Sequence, residues 1–268
     1  MTVDGPATVQ WLSDDVNVRD PSLFETSPQT LWFVTRAAAL TAGRHYRFSI
    51  VATSSTTGAT ASDNITVLTN LPPTDGDLDV WPSEGVALST VFTLSSTSWH
   101  DLDGDARLLL HTFSYTNAAG TTIGLGEDAV GLNATARSTL PAGNLVLCVT
   151  VSDPHGGASS AMFNATVTQS SNVVAAVQNT TDEASALIAN GDAETALGLL
   201  AAGAESLSSD SAASYGSGTL TTLRSTLLSL AWNATRQGLE ESASTVTLRA
   251  ATLEQIVSEP SQVCLTCM

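Results

Sequence analysis

The sequence predicts a mainly β protein that ends in helices: two antiparallel β-sandwiches followed by a small α-helical subdomain. Three observations carry this prediction. Residues 40–67, LTAGRHYRFSIVATSSTTGATASDNITV, align with residues 140–167, LPAGNLVLCVTVSDPHGGASSAMFNATV, at an offset of 100 residues, which is the size of one β-sandwich. Up to Ser171 the apolar residues alternate in short runs broken by Gly, Pro, Ser and Thr, the period of half-buried strands. After Ser171 the pattern changes to Ala and Leu at helical spacing.

Taken in order, residues 1–71 form the first sandwich, truncated or small, with strand candidates VQWL and TLWFV before its closing hairpin. Each copy of the repeat reads as a turn at Gly43 or Gly143, an alternating strand, a small-residue turn and a second alternating strand. Pro72 and Pro73 cannot continue a ladder and serve as a stiff linker that sets the angle between modules. Residues 72–171 form the second sandwich, with strands at LDVW, VFTLSS, LLLHTFSY and TTIG, one near Asn133, and the closing pair. Residues 172–258 carry four helices. The first starts at Thr181, Asp182 and Glu183 and ends near Asn190 and Gly191, and the second starts at Asp192 with Leu197, Leu200, Ala204 and Leu207 on one face. The third and fourth cover about residues 220–237 and 239–256, the last facing inward with Val246, Leu253 and Ile256. Four short helices hold little core alone, so they dock on the second sandwich or on a further domain. Residues 259–268 form a tail.

Composition narrows the function. The 268 residues hold 26 acidic side chains against 9 basic ones, all arginine, for a net charge of −17. No basic stripe exists to displace counterions from a phosphate backbone, which excludes a nucleic-acid role and disfavours an anionic membrane surface. Aromatic residues are 5% and charged residues 13% of the chain, so the polar surface is Ser, Thr, Asn and Gly, the texture of extracellular β modules. Asn64, Asn133, Asn164, Asn179 and Asn233 each open an Asn-x-Thr glycosylation acceptor. No signal peptide or membrane-spanning run is visible, and the apolar stretch near Leu220 is interrupted by Arg224. The expectation is an internal piece of a longer secreted or membrane-anchored protein.

The candidate chemistry is sparse. DLDGD at residues 101–105 places Asp101, Asp103 and Asp105 at alternate positions around a glycine, as short loops that converge oxygen ligands on Ca²⁺ do. The bidentate acid of an EF-hand is missing, since Thr112 stands in its place. An Asx-rich turn between strands fits the same residues. Asp153 adds a ligand only if its hairpin lies at the same end of the sandwich. His111 alternates within a strand and reads as structural. Cys148 reads as a buried strand residue, while Cys264 and Cys267 form a C-x-x-C beside the end with neither a second ligand pair nor a redox context. The pairing of these three thiols stays open.

Residues 72–115, PPTDGDLDVWPSEGVALSTVFTLSSTSWHDLDGDARLLLHTFSY, resemble the REJ module of polycystins and of sea-urchin sperm receptors for egg jelly. That module runs through a Pro-Pro pair, a V-x-P-x-x-G-x-A-L-x-T-x-F turn and strand, a W-x-D-x-D turn and an F-x-Y strand. Here these are Val80, Pro82, Gly85, Ala87, Leu88, Thr90 and Phe92, then Trp99, Asp101 and Asp103, then Phe113 and Tyr115. The repeat, with its V-x-V-x-D-x-x-G-G turn at residues 149–157, resembles the Ig/fibronectin III-like and PKD-type sandwiches from which REJ regions are built. The helices resemble the segment that precedes a GAIN domain. The cysteines that the family carries near Leu78 and Ser95 are absent, as is any His-Leu-Thr or His-Leu-Ser cleavage site near the end.

The resemblance implies a non-enzymatic extracellular region of a polycystin-like membrane receptor or channel. Its modules would be adhesive and mechanical, with an extracellular protein or glycan as ligand, and attached to the membrane through the parent chain alone. Trp99 would anchor the Asp-rich turn in the core. The alternative is a Ca²⁺-dependent adhesin or lectin-like secreted module, and a weaker third reading is a secreted hydrolase.

Overall fold

The computed structural model describes residues 6–104, 106–126, 128–207, 215–237 and 243–258. The chain divides into two compact units, residues 1–72 and 73–268.

The first unit holds one antiparallel sheet of β1 (Ala7–Ser13), β2 (His45–Ser54) and β3 (Thr60–Leu68), in that order. The long β1–β2 connection covers the face that carries Tyr46 and Phe48. Phe33 stacks on Phe24 at 4.4 Å between centroids and on Trp11 at 5.4 Å, and Phe24 meets Phe48 edge-on at 6.2 Å, packings that reward aromatic pairs beyond their area. TLWFV is therefore not a strand. It sends Phe33 inward while Leu31 and Trp32, 69% and 81% exposed, face solvent. The Thr30 hydroxyl holds this tight bend by bonding the carbonyls of Ser27 and Trp32. In β3, Ile65 and Val67 share the face of Phe48 and Tyr46 but stay exposed, because the aromatic cluster gathers on β1, β2 and their connection.

The second unit contains β4 (Asp77–Trp81), β5 (Glu84–Val86), β6 (Val91–Thr97), β7 (Leu110–Thr116), β8 (Thr122–Gly124), β9 (Ala129–Val130), β10 (Ala134–Thr139), β11 (Gly143–Ser152) and β12 (Ala158–Thr168). One sheet runs β10-β6-β4 and the other β5-β12-β11-β7-β8, with β9 also paired to β7. All seven expected strands are present. The two additions, β5 and β9, are too short to show a period. Phe92 and Leu94 from one sheet meet Phe113, Leu147, Val149 and Val151 from the other in a single core.

The repeat is less regular in space than in sequence. The β2–β3 turn spans residues 54–59 and the β11–β12 turn residues 153–157. One residue of difference flips a strand face, so Val151 is buried while Val51 sits on the outer face beside Gln10.

Among the described residues four helices follow: α1 (Val173–Ala189), α2 (Ala193–Ser206), α3 (Ser217–Arg236) and α4 (Ala243–Val257). α1 begins eight residues before the expected start, capped by Asn172, whose side chain accepts from the Ala175 N–H. In the sequence Thr181, next to Thr180, looks like the start of the helix. In the helix their hydroxyls instead bond back to the carbonyls of Ala176 and Gln178, an alternative that only a formed helix provides. α2 is capped by Asp192 as expected. The inward face of α4 is Thr245, Leu248, Ala251, Thr252 and Ile256, and Val246 is exposed. Val246 lies one position off the stripe that begins at Thr245, whose polar side chain hid the phase.

The helices share one hydrophobic core with the sandwich, through Ile123 and Leu125 on one side and Leu197 and Leu200 on the other. α2 is buried nearly all round, as a helix at the centre of a layered core must be. Its Gly198 faces β8 so closely that a Cβ there would stand 2.8 Å from the Gly124 carbonyl oxygen, whereas a Cβ on Gly203 would meet the Leu227 side chain at an ordinary 3.5 Å.

These two glycines should respond with opposite signs. Glycine to alanine in a helix gains about 1 kcal/mol of propensity, and overpacking against backbone costs about 1–3 kcal/mol. Gly198→Ala is expected to lower the urea-unfolding free energy by up to about 2 kcal/mol, and Gly203→Ala to leave it unchanged or raise it.

Candidate functional site

The residues that carry the family motif form one continuous structural device. Gly85 leaves room for Thr90, whose side chain a Cβ at position 85 would meet at 2.6 Å. Thr90 Oγ1 accepts from the Val86 N–H at 2.9 Å. Between them Ala87 and Leu88 plunge into the core, Leu88 with φ of 56°, a left-handed conformation costly for leucine. Backbone bonds at both residues hold it: Ala87 N–H donates to the Thr168 carbonyl at 2.8 Å and Leu88 N–H to the Leu140 carbonyl at 3.0 Å. Phe92 then starts the buried face of β6, and half-buried Val80 packs against the same core. Pro82 follows Trp81 through a cis peptide bond.

Trp99 is buried, and the chain at Gly76 lies against its indole so closely that any side chain there would run into the ring. Its Nε1–H donates to Ser96 Oγ at 2.8 Å, Ser96 Oγ lies 2.9 Å from His111 Nδ1, and His111 Nε2 lies 2.9 Å from the Gly131 carbonyl oxygen. A carbonyl only accepts, so the His111 proton is on Nε2, and the Ser96 hydroxyl donates to Nδ1. The chain of four groups is fully satisfied. Ser96 and His111 make a serine–histidine pair, yet both are 0% exposed. A nucleophile must reach a substrate, and the Ser96 hydroxyl has neither access nor a spare proton. The pair holds β6 to β7 through the centre of the sandwich.

The Asp-rich turn lies beside Trp99. Asp101 Oδ1 accepts from the Asp103 N–H at 3.3 Å. Asp153 Oδ1 accepts from His155 and Gly157 N–H at 2.7 and 3.1 Å in the β11–β12 turn. The two turns lie at the same end of the sandwich, close enough for Asp153 to act on Asp101. Burial, then Asp103, with a lesser contribution from Asp153, hold the Asp101 carboxyl above the usual carboxylate range. Asp105 lies outside the described residues. Among the described residues no group of three or more His, Cys, Asp or Glu stands where it could hold a metal ion.

Phe113 and Tyr115 are buried on β7. Tyr115 reaches further than the motif implies: its hydroxyl donates to Glu205 Oε2 of α2 at 3.2 Å, and Asn117 Nδ2 donates to Glu205 Oε1 at 3.0 Å. Burial pushes the Glu205 carboxyl above its ordinary 4.5, against the two hydrogen bonds that lower it. Burial first, and then Glu205, push the Tyr115 hydroxyl well above 10. Glu205 and Ser96 were not singled out by the sequence. Glu205 carries one legible signal, an acid directly after the apolar run from Ala196 to Ala204.

The five acceptor asparagines, Asn64, Asn133, Asn164, Asn179 and Asn233, are all exposed. On β12, Ala165 and Val167 turn inward and Asn164 outward, the expected alternation. Cys148 is not a buried core residue. It is half-buried on the outer face beside Met162, because the inward phase of β11 belongs to Leu145, Leu147, Val149 and Val151. Cys264 and Cys267 lie outside the described residues. Pro72 is half-buried and Pro73 buried, in irregular chain between β3 and β4.

The arrangement defines a β-sandwich module buttressed by helices, in which the buried polar groups hold structure. The family model described as REJ domain matches residues 5–202. The chain belongs to the REJ domain family, a polycystin-type extracellular module. The match reaches beyond residues 72–115, which carry the motif, into the first unit and through most of α2. No curated protein matches the chain. Among solved structures it is similar to domains A168–A170 of titin, at 9% identity and TM-score 0.33 over 61% of this chain and 55% of that one. It is also similar to the three amino-terminal domains of the Hoc outer capsid protein of bacteriophage RB49, at 14% identity and TM-score 0.27 over 61% and 49%. A third is BT4661, a SusE-like surface polysaccharide-binding protein of Bacteroides thetaiotaomicron, at 16% identity and TM-score 0.31 over 60% and 29%. The chain spans about half or less of the length of these structures. Among the described residues no helix is long and apolar enough to cross a membrane.

Trp99→Ala is expected to cost about 3–5 kcal/mol, the range for removing a buried aromatic, and an unchanged melting temperature would contradict the place given to the indole. Glu205 predicts a pH effect with a definite sign. Its pKa is higher folded than unfolded, so the folded state binds the proton more readily, and the penalty of the buried charge is present above the folded pKa. That penalty is relieved as pH falls through the folded pKa toward 4.5. Glu205→Gln keeps partners for both Tyr115 and Asn117 without the charge. Its urea midpoint should match or exceed that of the parent at pH 7, with the difference shrinking by pH 5. A loss of stability in the variant that is equal at both pH values would contradict this.

Proposed function

We propose that this chain is a non-catalytic, glycosylated part of the extracellular region of a polycystin-like membrane receptor or channel, serving as an adhesive and force-bearing module. The observation that carries the reading is the placement of the acceptors: all five asparagines are exposed, on strands, a loop and helices alike. The reading is supported by the family and by a polar interior spent on holding sheets and helices together. Pro72 and Pro73 serve as a stiff linker, and membrane attachment comes from the parent chain. The ligand class is an extracellular protein or a glycan.

A Ca²⁺-dependent adhesin is the second reading. It is favoured by one observation, that the Asp101 turn and the Asp153 turn lie at one end of the sandwich, where Leu110 pairs with Ser152. Calorimetry separates the two, since a Ca²⁺ heat that vanishes in Asp103→Ala supports the adhesin.

The first reading is tested in membrane and soluble fractions of the native organism, with and without N-glycosidase. The expected result is a membrane-bound species larger than this chain that migrates faster after the enzyme. A soluble species whose mobility the enzyme leaves unchanged would contradict it.

A further inference from the structure

The two edges of the first sheet differ. β3 carries Asp63 and the acceptor Asn64, the charge and bulk with which proteins guard an open edge. β1, ATVQWLS, has no charge and no proline, and among the described residues its one sheet neighbour is β2. The phase of its backbone is fixed by two bonds. Trp11 N–H turns away from β2 and donates to the Pro28 carbonyl at 2.7 Å, and the Pro6 carbonyl turns toward β2 and accepts from Ser55 N–H at 2.9 Å. In an antiparallel ladder the pairing groups alternate, so Ala7, Val9 and Trp11 aim their N–H and C=O outward, while Thr8, Gln10 and Leu12 pair with Thr53, Val51 and Ser49.

The Pro28 carbonyl takes one outward rung, at Trp11. The rungs at Ala7 and Val9 open into a groove of about 560 Å³ lined by Ala7, Thr8, Val9, Gln29 and Leu31. A second groove of about 290 Å³ shares Thr8, Val9 and Gln29 with the first and extends along Gln10, Leu12, Val51 and Thr53. None of these residues is charged, in a chain with 26 acidic side chains.

We propose that β1 is a strand-addition site for a partner protein, which contributes an extended, uncharged segment of alternating apolar residues. Lying about 4.8 Å from β1, that segment exchanges hydrogen bonds with Ala7 and Val9 and continues the rung that Pro28 begins. Its successive side chains point to opposite faces, one beside Leu31 and the next beside Leu12 and Val51, the way strand addition combines backbone affinity with pocket selectivity. A charged side chain would be desolvated against walls that offer it no counterion. The inference stands apart from the extracellular assignment and survives if that assignment fails.

The test uses the full chain and a synthetic probe, the acetylated and amidated hexapeptide Thr-Val-Thr-Val-Thr-Val. The expected result is at least tenfold slower amide exchange at Ala7 and Val9 with the probe present. Val9→Pro removes an outward N–H without touching the β2 ladder, a position where an edge strand tolerates proline, and should abolish the protection. Leu31→Glu leaves the backbone intact, charges the groove and should weaken the probe at least tenfold. Unchanged exchange at Ala7 and Val9, or equal binding by Leu31→Glu, overturns the proposal. So does a parent chain that sediments as a dimer and becomes monomeric in Val9→Pro, because the occupant is then a second copy.

Discussion

The second unit depends on one close approach, of the α2 backbone at Gly198 to the β8 carbonyl of Gly124. Two flat surfaces, a strand and a helix, come together there with no side chain between them. That contact brings the Ala- and Leu-lined sides of α2 within reach of Ile123 and Leu125 on the sandwich and of the other three helices at once. A larger residue at position 198 would lift α2 away from the sheet. The core would then separate into a sandwich and a bundle, each with an exposed apolar face. The many alanines of α2 are part of the same constraint: a helix enclosed on every side must be thin.

The carboxy-terminal turn of α2 is tied to both of its neighbours. Toward the sandwich, Glu205 receives hydrogen bonds from Tyr115 and Asn117. Toward the helices, Arg224 of α3 is fully buried and donates to the Ala204 carbonyl of α2 at 3.4 Å and to the Gln255 and Ile256 carbonyls of α4 at 3.3 and 2.7 Å. These carbonyls belong to the last turns of their helices, where the dipoles leave negative partial charge. One guanidinium with its fixed fork of donors satisfies two helix ends, a task that a lysine could not match geometrically. The arginine that interrupts the apolar stretch in the sequence is therefore the residue around which α2, α3 and α4 close.

What the sequence revealed follows from how far each signal reaches along the chain. Long alternating runs such as VFTLSS and LVLCVTV, and the capped start of α2, are local and were legible. The closing hairpins were legible as a repeat, but their faces were not, since a turn longer by one residue reverses a strand without altering the alignment. TLWFV has the composition of a strand and becomes a bend, because Phe33 finds Phe24 and Trp11 rather than a neighbouring strand. The motif from Val80 to Tyr115 pointed to the right family, and most of its residues pack as core. The polar relay through Ser96 and the Glu205 tie were not legible, because each joins residues distant in the chain through side chains that are ordinary in themselves.

The claim at the centre of this account is that the helices and the second sandwich are one cooperative body. It is tested most directly by native-state amide exchange on the whole chain in increasing urea, comparing β7 at Tyr115 with α2 at Leu200. If α2 is an integral layer of the core, both amides will open with the same free energy and the same urea dependence. Exchange of Leu200 through a lower-energy opening that leaves Tyr115 protected would contradict the account, and would make the helices an appendage of a sandwich that stands without them.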